Sequence, residues 1–364
     1  MTTDRRPERL GALRQRLAEE SLDALLVSHA PNIRYLTGFS GSSGLVLVTP
    51  GVVVLVTDFR YQTQAADEVG DLARIEIDSA SLFERLFTVL PDFPAVGVVG
   101  FEAHALPFRD GARLNDGARP WRFRPTSDLV EGLRAVKAPE EVAAIRAAGR
   151  VATDALGRAI VTVRAGLTEY EIAGLLEGEL RRAGSEAYPF ATIVASGPRA
   201  ALPHARTSGR PVAAGEWLLM DFGAQVDGYC ADVTRTFLVG AQPDRRQREV
   251  YEVVREAQAA AVAGLRVGLT GRAADALARD RIAAAGFAEE FGHSLGHGIG
   301  LEVHEAPRLS RIAEQPLPAG AVVTVEPGVY LPGWGGVRIE DDVLLGDEGA
   351  TLLTAFPREL VVLG

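Results

Sequence analysis

Apolar residues in the first part of the chain follow two spacings, one typical of helices and one typical of buried strands. Leu10, Leu13 and Leu17 recur at three- and four-residue intervals, which predicts an amphipathic helix. Short valine and leucine runs between turn residues predict strands. The predicted elements are a helix over 8–19, a strand over Ala24–Val27, a hairpin of Leu45–Val48 and Val52–Val56, a helix from about Arg60, and a strand over Val96–Val99. This mixture predicts an α/β domain over residues 1–130.

A change of composition separates this part from the rest of the chain. Residues 119–128 are rich in proline and charge, and a helix then opens at Pro139, because proline and acids suit a first helical turn. We therefore place a boundary near residue 130 and a second domain over 131–364. In that domain, further helices are predicted from the capping box Thr168–Glu171, over about 247–265 and after Thr270, with strand-rich stretches at 216–239, 291–304 and 321–345.

Two aspartates flank a predicted hairpin turn in the second domain. Asp227-Gly228 is the preferred composition of a two-residue turn, and it pairs positions whose numbers sum to 455, so Asp221 faces Thr234. Asp232 shares the face of Thr234, which puts the two carboxylates diagonally, about 7–8 Å apart at the backbone. Asp221 also interrupts an apolar run, where an unpaired acid is costly to bury. The spacing favours carboxylates directed at a metal over two solvated surface acids.

Half of the six histidines lie within twelve residues of one another. His293 and His297 have the i, i+4 spacing of zinc ligands on a helix, and His304 follows. Three interspersed glycines argue against a helix and for close backbone packing. A histidine cluster in such a segment is a candidate site rather than three unrelated core residues.

Two further acids stand beside apolar strand runs. Glu326 follows Val322–Val325, and Glu340 lies among valine and isoleucine residues. Arg338 is expected on the same strand face as Glu340, where a buried salt bridge is the simplest alternative to a metal site. His204 by itself is typical of an exposed loop.

The candidate ligands form a charge-balanced set when they are taken together. Four carboxylates carry four negative charges and His297 adds a neutral nitrogen, so two divalent cations neutralise the set. An oxygen-rich set with one imidazole and no thiolate favours manganese- or cobalt-like ions over a structural zinc ion. Two ions about 3.5–4 Å apart can activate a water molecule and polarise a carbonyl group. The four carboxylates are those of Asp221, Asp232, Glu326 and Glu340.

Composition narrows the functional classes further. The 48 acids exceed the 38 bases, and the net charge of −10 argues against nucleic-acid binding, which needs a surplus of cations. Cys230 is the only cysteine, so no intrachain disulfide or cysteine metal cluster can form. No secretory signal or membrane span is recognisable, and we expect a soluble, cytoplasmic protein.

The ordered motifs DFGAQVDGYCADVTRT, HSLGHGIGLEVHE, VEPGVY and VRIED resemble those of the dinuclear metallopeptidases of the pita-bread fold. Within that group the chain is most similar to the Xaa-Pro dipeptidases (prolidases) and aminopeptidase P, and DALLVSHAPNIRYLTGFSGS resembles their N-terminal domain. The resemblance implies an α+β protein, with a pita-bread catalytic domain preceded by a smaller creatinase-like α/β domain. It also implies a homodimer that binds small peptides. The net charge and the lack of a membrane span, and not the resemblance, are the reasons to expect neither nucleic acid nor membrane as a partner.

The resemblance assigns roles to the candidate residues. It implies that two Mn²⁺ ions, or Co²⁺ or Zn²⁺, are bound by Asp221 and Asp232 on one side and by His297 and Glu326 on the other, with Asp232 and Glu340 bridging. A metal-bridging hydroxide would cleave the bond before proline. Glu326 would also shuttle a proton to the leaving nitrogen. The remaining assignments are His204 and His304 as catalytic and substrate contacts, Arg338 as the residue that holds the aspartates, and His293 and Arg308 as substrate-binding residues.

The resemblance leaves the substrate length open. An arginine at the place of Arg308 resembles a clamp for the C-terminal carboxylate of a dipeptide, although an exposed loop arginine is a serious alternative in a chain this rich in arginine. We favour Xaa-Pro dipeptides, with aminopeptidase P acting on longer Xaa-Pro-Yaa peptides as the alternative. A non-catalytic peptide-binding module of the same fold is the alternative from another class.

Overall fold

The computed structural model describes residues 4–115 and 120–364 of the 364-residue chain. Two compact units divide the chain, the first ending at Arg134 and the second covering Ala135–Gly364. The division lies beyond the boundary drawn near residue 130, because the short helix Glu131–Arg134 belongs to the first unit. Among the helices of the described ranges, none is long and apolar enough to cross a membrane.

The first unit is built on a mixed sheet with helices packed against it. In its described residues the sheet has six strands in the order β4-β3-β2-β1-β5-β6, and β1, β5 and β6 run parallel while β2 is antiparallel to both β1 and β3. The strands are β1 (Ala24–Val27), β2 (Gly44–Val48), β3 (Val53–Thr57), β4 (Arg74–Ile77), β5 (Val98–Glu102) and β6 (Arg122–Thr126). The helices are α1 (Arg6–Glu19), α2 (Ala30–Thr37), α3 (Gln62–Val69), α4 (Leu82–Val89), α5 (Phe108–Leu114) and α6 (Glu131–Arg134), with 3₁₀ turns at Phe59–Tyr61, Gly70–Leu72 and Leu90–Asp92.

Most elements predicted for the first unit are confirmed. Helix α1, strand β1 and the β2–β3 hairpin lie where the apolar spacing put them, and a 3₁₀ turn at Phe59–Tyr61 leads into α3. The prediction that residues 119–128 separate the two domains is wrong, because this stretch contains β6, the edge strand that pairs with β5 in the sheet of the first unit. Pro125 is compatible with an edge strand, where the missing N–H can face away from the sheet. Residue 119, at the start of that stretch, lies outside the described residues.

The second unit packs pairs of helices against sheets whose described strands pair antiparallel, except that β17 pairs with β9 in parallel. The described strands form the sheets β17-β9-β8-β7 and β11-β10-β12-β15-β16 and the ribbon β13-β14. The helices are α7 (Pro139–Ala159), α8 (Glu169–Arg182), α9 (Arg245–Gly264) and α10 (Gly271–Ala284), with 3₁₀ turns at Ile160–Thr162 and Gly197–Ala201. The strands are β7 (Ile193–Ser196), β8 (Trp217–Val226), β9 (Tyr229–Val239), β10 (Gly296–Gly298), β11 (Glu305–Leu309), β12 (Val322–Val325), β13 (Gly328–Leu331), β14 (Gly335–Arg338), β15 (Asp341–Gly346), β16 (Gly349–Leu352) and β17 (Val362–Leu363).

The predicted helices of this unit are confirmed, and one strand prediction is wrong in extent. Helix α7 opens at Pro139. Helix α8 begins at Glu169, directly after Thr168, the N-cap of the predicted capping box, and Thr168 Oγ1 accepts from the Glu171 N–H. The stretch 291–304 contains a strand only at Gly296–Gly298, and the rest is irregular backbone. Glycines at this density leave few side chains to stabilise a longer strand.

The long β8–β9 hairpin has the register that its turn predicts. Val226 pairs with Tyr229 and Asp221 pairs with Thr234. Asp227 and Gly228 have φ angles of 50° and 76°, as a two-residue turn with both central residues left-handed requires. Both turn N–H groups donate to the carboxylate of Glu186, which fixes the end of the hairpin.

Replacing Gly228 with alanine should destabilise the second unit, because a side chain at φ 76° costs about 1 kcal/mol. A loss of that size lowers the melting temperature by roughly 2–4 °C in a domain of this length. Asp227→Asn is the matched control and should leave the melting temperature unchanged, since asparagine tolerates this conformation. Equal melting temperatures for Gly228→Ala and the wild type would contradict the turn assignment.

Candidate metal centre

Two adjacent strands contribute the first two carboxylates of the site. Asp221 in β8 and Asp232 in β9 lie diagonally on one face of the hairpin, because Asp221 pairs with Thr234 and Gly223 pairs with Asp232. Both residues are buried, at 9 % and 6 % exposure. The antiparallel register alone therefore brings two acids into one interior.

The second sheet contributes the remaining candidate ligands. His297 lies in β10, Glu326 directly follows β12, and Glu340 lies between β14 and β15. One ligand atom each from Asp232, His297 and Glu340 lie within 4.8 Å of one another. His297 Nε2 is 3.5 Å from Glu326 Oε1. The five candidate ligands predicted from the sequence thus converge from two sheets.

A close backbone approach positions His297. A Cβ atom on Gly296 would lie 2.0 Å from the carbonyl oxygen of Thr324, so only glycine allows β10 to approach β12 this closely. The His297 N–H donates to Thr324 Oγ1 at 3.1 Å. His297 Nδ1 is 3.0 Å from the carbonyl oxygen of Gly298, a contact that makes Nδ1 the protonated nitrogen and leaves the Nε2 lone pair directed at the acids.

The buried carboxylates repel one another. Burial and the neighbouring acids raise the pKa of Asp232 and of Glu326 well above their ordinary values, and they raise the pKa of Glu340 to about 8. Buried oxygens Oδ1 of Asp221, Oδ1 of Asp232 and Oε1 of Glu340 have no hydrogen-bond partner in the described parts of the chain. Crowded anions with unpartnered oxygens fit divalent cations, which satisfy the oxygens and remove the repulsion.

Arg338 holds Asp221 rather than Glu340. Its Nη2 donates to Asp221 Oδ2 at 2.5 Å, and its Nε donates to Thr234 Oγ1 at 3.1 Å. Thr234 Oγ1 in turn donates to Glu340 Oε2 at 2.6 Å. The prediction that Arg338 and Glu340 share one face of a strand is wrong. Strand β14 ends at Arg338, and Glu340 lies in the connection to β15. The two residues are linked through Thr234 instead.

All ten candidate site residues line one cavity of about 360 Å³. His297 and His304 have ring centroids 4.2 Å apart, and burial together with Arg308 lowers the pKa of His304. His293 Nε2 is 2.8 Å from the hydroxyl of Tyr330, and burial lowers the His293 pKa to about 4. Neutral imidazoles therefore lie beside the candidate ligands, and His293 Nδ1 is 3.9 Å from Glu326 Oε2. The lining includes Asp221, Asp232, His297, Glu326, Glu340, His204, His293, His304, Arg308 and Arg338.

Several supporting residues were not identified from the sequence. Arg235, which is 1 % exposed, donates to Asp341 Oδ1 at 2.7 Å and to the carbonyl oxygen of Glu340. Asp342 Oδ2 accepts from the Asp232 N–H at 3.1 Å. Arg235 lies between Thr234 and Thr236 in β9, so it does not interrupt an apolar run as Asp221 does in β8, and the sequence offers no comparable signal for it.

The loop that carries His293 has a separate anchor. Arg279 donates to the carbonyl oxygens of Phe291 and His293, and it pairs with Asp275 on the same helix. Asp275 accepts from the Leu295 N–H at 2.9 Å. Residues of α10 thus fix backbone on both sides of His293, and no local motif in the sequence indicates this.

Cys230 is a packing residue. It is 2 % exposed and contacts the cluster of Ile145 and Ile299. Burial and the nearby acids raise the pKa of its thiol to about 12, so it stays protonated. Its position agrees with the sequence-based expectation that it serves as a small buried side chain.

Comparisons with known proteins agree with this architecture. The profile of metallopeptidase family M24 matches residues 143–347, and the profile of the creatinase/prolidase N-terminal domain matches residues 9–136. The Xaa-Pro dipeptidase of Pyrococcus furiosus is 35 % identical over 97 % of this chain and 99 % of its own length.

Solved structures give the same result over nearly the whole chain. An Xaa-Pro dipeptidase from Bacillus anthracis is 39 % identical, with a TM-score of 0.94, over 98 % of this chain and 100 % of that one. An X-Pro aminopeptidase from Thermotoga maritima is 38 % identical, with a TM-score of 0.90, over 97 % of this chain and 99 % of that one.

Metal removal should make the stability of the chain depend on pH. A folded chain that keeps a proton on Glu340 up to about pH 8 binds more protons than the unfolded chain, so stability falls as pH rises from about 4.5 to about 8. Saturating Mn²⁺ at pH 8 should raise the melting temperature of chelator-treated protein by roughly 5–10 °C.

Differential scanning calorimetry of chelated and Mn²⁺-loaded protein from pH 5 to pH 8 measures both effects. Asp232→Asn is the control and should weaken the response to Mn²⁺. Identical melting curves for the chelated and loaded wild type at pH 8 would argue against a cation site among these acids.

Proposed function

The chain belongs to metallopeptidase family M24, and we propose that it hydrolyses the peptide bond before proline in Xaa-Pro dipeptides. The observation that carries the proposal is the cavity in which four acids and His297 converge and which three further histidines also line. The relatives named Xaa-Pro dipeptidase cover nearly all of the chain, which supports this substrate class.

Two divalent ions complete the proposed site. Asp221, Asp232, His297, Glu326 and Glu340 would hold them, and we propose Mn²⁺ because four of the five ligands are carboxylates. When bound, such ions supply a Lewis acid for the scissile carbonyl and a water molecule of lowered pKa. Cobalt and zinc are the alternatives that metal analysis distinguishes.

Glu326 is the residue we propose for proton transfer. Its side chain is 18 % exposed and borders the cavity, whereas Glu340 is 2 % exposed. A carboxylate at this position can take a proton and later give it to the leaving nitrogen. A proline nitrogen leaves from a tertiary amide and needs that proton.

Two histidines and one arginine support the reaction in this proposal. His204 and His304 border the cavity and can donate hydrogen bonds to the oxygen that becomes charged as the carbonyl is attacked. Arg338 acts as a positioning residue, because its contacts fix Asp221 and Thr234.

The absence of an N–H in the X-Pro bond fits this chemistry. Peptidases that grip the N–H of the scissile bond fail on proline, which has none. The residues proposed here act on the carbonyl group and on the leaving nitrogen. The cavity is therefore compatible with proline, and the preference for proline rests on the relatives.

Arg308 favours a short substrate. It is exposed at the cavity, where its guanidinium can bind a carboxylate in bidentate fashion. In a dipeptide, that carboxylate is one residue from the scissile bond. The second candidate function is an aminopeptidase acting on Xaa-Pro-Yaa peptides, which the similarity to the Thermotoga maritima X-Pro aminopeptidase favours.

Loss of a ligand or of the proton-transfer group should abolish turnover. For Glu326→Gln and Asp232→Asn we expect kcat/KM on Ala-Pro to fall by at least about 10²–10⁴-fold, because proton transfer and metal binding are lost. Glu314→Gln, at an exposed acid, is the control and should keep wild-type activity. Retained turnover in either site variant, or two bound metal ions without turnover in the wild type, would overturn the enzymatic assignment.

Arg308→Met should raise the KM for Gly-Pro and Ala-Pro by about 10–100-fold with little change in kcat, because a charged hydrogen bond to the substrate is lost. The KM for an Xaa-Pro-Yaa tripeptide should change less. Arg272→Met, another exposed arginine, is the matched control. A clear preference of the wild type for the tripeptide would instead establish the aminopeptidase alternative.

A further inference from the structure

We propose that the first unit binds a divalent cation of the zinc type through His29, His104 and Glu131. All three residues belong to that unit, and none is among the ligands proposed above. The site rests on where the strands end, on the distances between the three side chains and on the buried network that holds them.

The strand directions bring the three residues to one edge of the sheet. His29 and His104 each follow the end of a parallel strand by two residues, after β1 and β5 respectively. Glu131 follows β6, the next parallel strand, at the start of α6. On its other side β1 pairs with antiparallel β2, so strand direction changes there. Crevices outside the carboxyl ends of parallel strands, next to such a change, are typical ligand sites.

The distances suit a single small ion. His104 Nε2 is 3.2 Å and His29 Nδ1 is 3.9 Å from Glu131 Oε1, and one ligand atom from each residue lies within 4.8 Å of the others. Ligands about 2.0–2.2 Å from zinc in a tetrahedron are roughly 3.3–3.6 Å apart. Small side-chain rotations would therefore complete the geometry.

A buried hydrogen-bond network holds two of the ligands. Glu102, 4 % exposed, accepts from the His29 N–H at 2.7 Å and from Asn32 Nδ2 at 2.7 Å. Asn32 also donates to Glu131 Oε1, and its Oδ1 accepts from Arg134 Nη1 at 2.7 Å. Glu102 thus fixes the backbone at His29, and Asn32 orients the Glu131 carboxylate in the way that hydrogen-bond partners orient metal ligands.

The ligand set selects the class of ion. Two imidazoles and one carboxylate favour Zn²⁺, Co²⁺ or Ni²⁺ over Mg²⁺ and Ca²⁺, which prefer oxygen ligands. The His104 side chain is 44 % exposed, so the fourth ligand position faces solvent and can hold water. An ion there would join the ends of three strands and stabilise the unit. The simpler alternative is an ion pair between Glu131 and protonated histidine.

Measuring the number of zinc ions bound per full-length, tag-free chain distinguishes a metal site from an ion pair between Glu131 and histidine. Protein saturated with Zn²⁺ and passed through a desalting column should hold one zinc ion fewer per chain in His104→Ala and in Glu131→Gln than in the wild type. This difference of one does not depend on how many ions the second unit binds, so it is independent of the proposed peptidase site. Glu20→Gln, at an exposed acid of the same unit, is the control and should match the wild type.

A thermal measurement supplies the second readout. Zn²⁺ added to Mn²⁺-loaded protein should raise the melting temperature of the first unit in the wild type and in Glu20→Gln but not in His104→Ala. Circular dichroism of the metal-free variants checks that they fold. Equal zinc counts in the wild type and His104→Ala, or an equal loss in the control, would overturn the proposal.

Discussion

Mutual repulsion among buried carboxylates is the constraint on which the second unit depends. Four acids that would normally lie in water converge on one cavity, and burial raises the pKa of at least Asp232, Glu326 and Glu340. Burying such charges costs several kcal/mol unless each has a partner. The fold supplies a fixed cation in Arg338 for one of them, and the remaining unpartnered oxygens need cations from solution.

Polar residues around the cavity form hydrogen bonds that keep the four acids close together. Thr234 links Arg338 to Glu340, and Arg235 binds both Asp341 and the backbone of Glu340. These contacts are buried, where a hydrogen bond is strong and an unmade one is expensive. The acids therefore cannot separate to relieve their repulsion, and the site is preorganised for metal ions before they bind. Part of the net charge of −10 therefore belongs to the acids of this cavity and not to acids on the surface.

In both units the candidate metal ligands lie where strands end or pair, but the strand geometry that brings them together differs. In the second unit an antiparallel register puts Asp221 and Asp232 on one face, and a glycine lets β10 approach β12. In the first unit the carboxyl ends of three parallel strands gather His29, His104 and Glu131. Antiparallel pairing fixes neighbours by turn chemistry, whereas parallel pairing joins residues that are far apart in sequence.

The sequence by itself determined the features that depend on neighbours along the chain. The Asp227-Gly228 turn gave the register of the acids, the capping box at Thr168 gave a helix start, and Asp221 within an apolar run marked the site. Turn and cap preferences act over a few residues, so they can be recognised locally.

Only the tertiary structure decided which distant residues meet. Thr234 and Glu340 form a hydrogen bond although they are 106 positions apart in the chain. Arg338 binds Asp221 and not Glu340, and strand β6 lies in the stretch where a domain break was expected. The cluster of His29, His104 and Glu131 had no signal in the sequence. Such contacts depend on how sheets pair and pack, and a single sequence does not specify that pairing through any local pattern.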